Sequence, residues 1–159
     1  MEIREFAELI LFEPSLDGKL NRPGQLTDHS PGTPLLRQVA PQRPPGLSLL
    51  APGDRRRPFP KLSELEVDRR RGEALHFFAN HELLALELMA LALLRFPDAP
   101  RRFRRRLVAT MRDEQKHLRL YLRRMNALGV QLGAIPLNGY FWDVLSGMER
   151  PMDFVAGMS

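Results

Sequence analysis

The chain predicts an all-α fold built on a helical hairpin, and three observations carry that expectation. Residues Ala74 to Leu94 are apolar almost all round, the mark of a helix buried on most sides. The stretch from Arg101 to Leu128 places Leu107, Met111, Leu118, Leu122 and Met125 on one helical face, with Arg105, Arg112, Lys116, Arg119 and Arg123 opposite. Only a few residues around Pro97-Asp-Ala-Pro100 separate the two, and so short a connection joins helices that pack antiparallel.

Taken in order, residues 1–12 offer Ile3, Phe6, Leu9 and Ile10 to a short helix or strand. Residues 13–60 are rich in Pro and Gly, with Pro41-Gln-Arg-Pro44-Pro45-Gly46 at their centre, and read as an extended arm that wraps the helices. Leu35, Leu36, Leu47, Leu49, Leu50 and Phe59 are the side chains such an arm would dock. Ser63-Glu-Leu-Glu66 is a capping-box pattern that starts a helix, and Gly72 breaks or bends it before the main run from Glu73 to about Arg95. Pro97 stops that run. Asp98 is then placed to cap a second helix with Pro100 in its first turn, and Gly129 to close it after about Leu128. Beyond Gly133, the aromatic connector Ile135 to Trp142 leads into a short helix, and Pro151 opens another. The expected division is an N-terminal segment and arm over 1–60, followed by a helical domain over 61–159.

At 159 residues the chain has the length of one ordinary domain. Cysteine is absent, which excludes disulfides and thiolate metal sites. The net charge of +5 comes mainly from arginine, in the runs Arg55–Arg57, Arg69–Arg71 and Arg101–Arg106. Phe103 alone breaks these runs, and no aromatic-interleaved pattern or known nucleic-acid motif accompanies them, so they read as solvated helix faces and no nucleic-acid partner is expected. The N-terminus lacks a secretory pattern. The apolar stretch Leu83 to Leu94, interrupted by Glu87, falls short of the roughly 20 residues of a membrane span. A soluble, cytoplasmic protein without a membrane partner is the expectation.

Chemistry concentrates on the second helix. Glu114 and His117 stand three residues apart, one turn, among the apolar positions of that helix. An unpaired charge is costly in a bundle interior, and Glu-x-x-His is the spacing that carboxylate-bridged di-iron bundles use. Glu82 lies on the first helix with Leu75, Phe78, Ala79, Leu86 and Met89. It is about 16 residues before a turn centred on 97–99, as Glu114 is about 16 after it, so the hairpin sets the two level. Glu87 would sit about five residues out of register. Glu82, Glu114 and His117 are therefore the candidate metal ligands, with donors suited to iron or manganese. The alternative is that Glu114 and His117 form a plain hydrogen-bonded pair or lie near a frayed surface. His81 reads as a neighbour of the site or a solvent-facing residue, His76 as a packed or surface histidine, and Tyr121 and Met89, Met111 and Met125 as core.

Four segments together, Leu75 to Ala90, Arg95 to Pro100, Asp113-Glu-Gln-Lys-His117 and Leu137-Asn-Gly-Tyr-Phe-Trp142, resemble the uncharacterised ferritin-like family known as domain of unknown function 455. The resemblance covers the chain from about residue 41 onward. It implies a ferritin-like four-helix bundle with a carboxylate-rich centre, in which Glu82 is the first-helix ligand and Glu114 and His117 the second-helix pair. It also implies third and fourth helices carrying further carboxylate and histidine ligands, whereas this sequence ends at Phe154 to Ser159, where the third would begin. Three outcomes stay open: a truncated product or fragment, a homodimer whose two hairpins complete one bundle, or a metal-free helical interaction protein. The implied function is a di-metal carboxylate protein of oxidoreductase type, here with half a site and an unknown small-molecule substrate. The alternative is a non-catalytic basic helical binding protein.

Overall fold

Helices carry the whole architecture in the computed structural model, which describes residues 1–36 and 40–158. In chain order they are α1 (Ile3–Phe12), α2 (Leu16–Leu20), α3 (Asp68–Arg95), α4 (Arg101–Ala127), α5 (Tyr140–Leu145) and α6 (Pro151–Met158), with a single 3-10 turn at Leu62–Glu64. Among the described residues there is no β-strand, only the isolated parallel bridges Glu2–Thr27 and Leu49–Leu137. The all-α expectation holds.

α3 is the axis of the molecule. From Leu83 to Leu94 every residue is buried. Its composition would suffice to cross a membrane, but most of its apolar stretch is covered by the rest of the chain. α4 packs antiparallel along one side, through Leu107, Val108, Met111 and Leu118. Along another side lies α1, whose Ile3, Phe6, Ala7, Ile10 and Leu11 are all buried in the same core. The first twelve residues are thus helix, selected by the spacing 3, 6, 7, 10, 11, which falls on one face at 3.6 residues per turn and cannot alternate as a strand would. α5 adds Trp142 and Leu145 to the core, and α6 adds Phe154.

Helix ends follow the sequence signals in part. The α4 terminus is as expected: Gly129 takes a positive φ of 76°, and the Val130 N–H reaches back to the Met125 carbonyl at 3.1 Å, the bond of a Schellman cap. The start of α3 differs from expectation. Ser63 to Glu66 does not open the helix; Glu64 instead accepts the Lys61 N–H at 2.7 Å and closes the 3-10 turn, and α3 begins at Asp68. Asp98 makes no cap for α4, whose N-cap position is Pro100. Gly72 does not break α3, which runs through it from Asp68 to Arg95. A Cβ there would stand 2.6 Å from Val130 Cγ2 and 3.3 Å from Leu128 Cβ, so this glycine is where the end of α4 closes onto α3.

The arm wraps the hairpin, and side chains on α4 hold it through its backbone. Gln115 donates to the carbonyls of Lys19 (2.8 Å) and Asn21 (3.1 Å), Arg119 to that of Leu20 (2.6 Å), and Arg112 to those of Pro23 and Gly24. Arg104, buried in the arginine run, pairs with Asp28 at 3.0 Å and donates to the Leu93 carbonyl at 3.0 Å. Arg104, Arg112 and Arg119 are therefore not solvated decoration, as the charge pattern suggested; an arm with few backbone bonds of its own needs donors, and they supply them. Further along, the Leu35 N–H donates to the Leu94 carbonyl at 2.8 Å and the Leu50 N–H to that of Leu137 at 2.8 Å. Leu47 is buried and Leu35, Leu49 and Leu50 are half-buried, but Leu36 and Phe59 remain exposed.

Candidate metal centre

Antiparallel pairing of α3 and α4 sets Glu82 level with Glu114 and His117. One donor atom from each of the three lies within 4.8 Å of the others. His117 Nδ1 is 3.0 Å from Glu114 Oε2. Glu82 is half-buried, and its carboxyl group is within hydrogen-bonding reach of Glu114. Burial, that contact and the neighbouring negative charge together push the Glu82 carboxyl up to about 8. Two carboxyl groups at this separation share a proton more readily than they both ionise.

The site sits at the margin of the hairpin rather than in its interior. The His117 side chain is 53% exposed and that of Glu114 18%, because α1 and the arm cover other faces of α3 and α4. Next to it, Tyr121 stacks on Phe78 with ring centroids 6.0 Å apart, and Phe78 touches Phe59 and Phe77 edge-on at 5.7 and 6.0 Å. Phe59, Phe77 and Phe78 are all exposed. An open acid–imidazole cluster thus borders an aromatic surface. His81 turns away from the trio and meets Phe141 edge-on at 4.6 Å. His76 is a packed histidine, whose Nε2 accepts the Gly133 N–H at 3.0 Å. Met89, Met111 and Met125 fill the core.

The other buried carboxylates of α3 are spoken for. Glu87, wholly buried, pairs with Lys19 at 3.0 Å and with Arg43 at 2.7 Å. Lys19 also donates to the Ile10 carbonyl at 2.6 Å, and Arg43 to Leu47 O and Asn80 Oδ1 at 3.3 Å. Glu73 pairs with Arg57 at 3.0 Å and Arg70 at 2.6 Å. Burial would raise the Glu73 carboxyl, but those arginines hold it below the usual range. Sequence reasoning overlooked that Glu73-Ala-Leu-His76 repeats the Glu-x-x-His spacing. The structure separates the two copies, since Glu73 faces arginines and His76 a backbone N–H. Among the described residues, Glu82, Glu114 and His117 are the one group of three or more such side chains arranged to hold an ion.

The donor set fits a transition-metal dication. Two carboxylates and an imidazole suit iron, manganese or zinc, no lysine or arginine pairs with Glu82 or Glu114 among the described residues, and a dication in place of the shared proton would neutralise both. A family model described as "Protein of unknown function (DUF455)" matches residues 12–159, the whole arm and every later element. No curated protein and no solved structure matches the chain.

Proposed function

The chain belongs to the DUF455 family of proteins of unknown function, and we propose that it is a ferritin-like metal-binding protein that holds iron or manganese at Glu82, Glu114 and His117. The observation that carries this reading is the contrast among the acids of α3. Glu73 and Glu87 each have at least two cationic partners within 3.0 Å, whereas Glu82 faces a second carboxyl and an imidazole. An uncompensated acid pair of this kind is destabilising unless a proton or a cation joins it.

In this reading Glu82 and Glu114 supply charge-neutralising oxygens and His117 the nitrogen donor. A redox-active metal so held would exchange electrons with a small-molecule oxidant, the basis for an oxidoreductase assignment. Three protein donors leave positions open, and the exposure of His117 gives a small molecule access. The Phe78–Tyr121 pair beside the trio limits water on one flank. A second copy of this chain, set hairpin against hairpin over the aromatic border, would bring a second Glu–Glu–His trio to the first and make a two-ion centre.

The test is metal analysis of purified protein reconstituted with Fe(II) or Mn(II) and then desalted. About one ion per chain is expected, and Glu114→Ala should abolish binding without loss of helicity. Fewer than about 0.1 ion per chain in the unaltered protein would sink the reading.

A further inference from the structure

Positive charge in this chain is concentrated on a single helix. α4 holds ten of the 24 Lys and Arg residues and two of the 19 Asp and Glu. The remaining fourteen cations face seventeen acids, so the net +5 of the chain originates in α4. At about 100° per residue its side chains divide by task around the axis. Arg104, Gln115, Arg119 and Arg112 share an arc of about 80° and hold the arm. Leu107, Met111, Leu118 and Met125 turn to the core, and Glu114, His117 and Tyr121 form the flank of the candidate metal centre. Arg101, Arg102, Arg105, Arg106, Arg123 and Arg124 fall in an arc of about 140° that adjoins the arm-holding one and overlaps its edge at Arg101. All six are exposed, and among the described residues no hydrogen bond or ion pair engages any of their guanidinium groups.

We propose, against the expectation drawn from the arginine runs alone, that this arc of α4 docks the phosphate backbone of a nucleic-acid duplex. Every free cation in it is arginine, whose planar guanidinium forks onto phosphate oxygens where lysine offers a point charge. The six form two clusters, in the first two turns and the last, centred about 30 Å apart at 1.5 Å per residue. That approaches the roughly 34 Å turn of a duplex, so a straight helix laid along the duplex meets backbone at both ends. Between the clusters Lys116 is already paired with Asp113 at 2.6 Å. A membrane surface is the poorer match, because a surface-bound helix inserts an apolar face and that of α4 is committed to the core. The proposal is independent of the metal reading, since it uses none of Glu82, Glu114 and His117.

Fluorescence anisotropy decides it, with the full chain titrated into labelled DNA and RNA duplexes of about 24 base pairs, long enough for two turns. Both polymers present the same phosphate chemistry, and the tighter of the two names the natural form. Six phosphate contacts give a log–log salt slope approaching about −5. Changing Arg101, Arg102, Arg105 and Arg106 together to Gln should weaken low-salt binding by at least about 100-fold and remove about 3 to 4 of that slope. Arg123→Gln with Arg124→Gln should cost about 10-fold and flatten the slope by nearly 2. Arg55→Gln with Lys61→Gln, the same charge change off the helix, should alter binding less than about twofold. Circular dichroism of each variant should match the parent, because the six side chains are exposed and unpaired. Absence of duplex binding at low salt overturns the proposal. So does an equal loss in the Arg55/Lys61 control, which would mean that net charge alone is sensed, or arginine-dependent binding to phosphatidylserine vesicles without duplex binding.

Discussion

Glu73, Glu82 and Glu87 occupy one helix within fifteen residues, and what each does is set by the charges that reach it rather than by its spacing. Glu82, Glu114 and His117 were legible because their partners lie within one hairpin, where helical rise fixes the register. The partners of Glu87 were not, since Lys19 and Arg43 come from an arm 68 and 44 residues away and nothing local predicts their approach. Lys19, Glu87 and Arg43 are 0%, 0% and 2% exposed in their side chains. Burial lowers the pKa of the Lys19 ammonium while Glu87 raises it. Glu87→Ala leaves two buried cations without their anion and should cost about 3–5 kcal/mol, read from urea unfolding. Lys19→Met keeps the Arg43–Glu87 pair and should cost less than half as much, about 1–2 kcal/mol; an equal loss would show that Arg43 alone cannot hold Glu87. Glu82 carries a pH signature. Its carboxyl is raised from 4.5 to about 8, so between those values the folded state binds the proton more tightly than the unfolded chain. This group's contribution to stability is full below about 4.5 and is lost as pH rises towards 8. Glu82→Gln should remove that dependence, so thermal melts of parent and variant should diverge as pH rises from 5 to 8, the parent losing ground. In the same window metal competes with the proton, and apparent affinity should rise with pH until about 8 and then level off. A flat affinity profile would mean that Glu82 is not a ligand.

At the scale of elements, the long helices were readable and their junctions were not. Continuous apolar positions define α3, one-sided periodicity defines α4, and Pro97 and Gly129 mark their ends by removing a donor or allowing a positive φ. The opening of α3 escaped because Ser63 to Glu66 matches a capping box in letters, while the local acid serves the 3-10 turn before it. Gly72 escaped for a different reason. A glycine in a helical run costs about 1 kcal/mol against alanine and suggests a break, yet here it marks close contact with residues 128–130. Gly72→Ala sets that helix-propensity gain of about 1 kcal/mol against a clash with Val130 Cγ2 at 2.6 Å and the branched, buried side chain that carries it. Overpacking of this kind costs about 1–3 kcal/mol, so a net loss and a lower melting temperature are expected. A higher melting temperature would show that the end of α4 can move away from α3.

Across the whole molecule, composition suggested a division near residue 60, between a Pro- and Gly-rich arm and a helical domain. The packing ties the two parts into one core. α1 covers a face of α3 with Ile3, Phe6, Ile10 and Leu11, all nearly or fully buried. At about 1.5–3 kcal/mol for each large apolar side chain, these four contribute about 6–12 kcal/mol, the size of an entire domain's net stability. The arm adds the buried pair of Arg104 with Asp28, the Lys19–Glu87–Arg43 cluster and the backbone acceptors taken up by Arg112, Gln115 and Arg119. Sequence patterning gave no route for this segment because its anchors are single residues spaced irregularly, without a period to read. Residues 61–159 produced alone should therefore lack cooperative unfolding and expose apolar surface to a hydrophobic dye, while residues 1–60 supplied separately should restore a sigmoidal melt. If 61–159 unfolds cooperatively at the temperature of the full chain, the hairpin is self-sufficient and α1 and the arm are accessory to it.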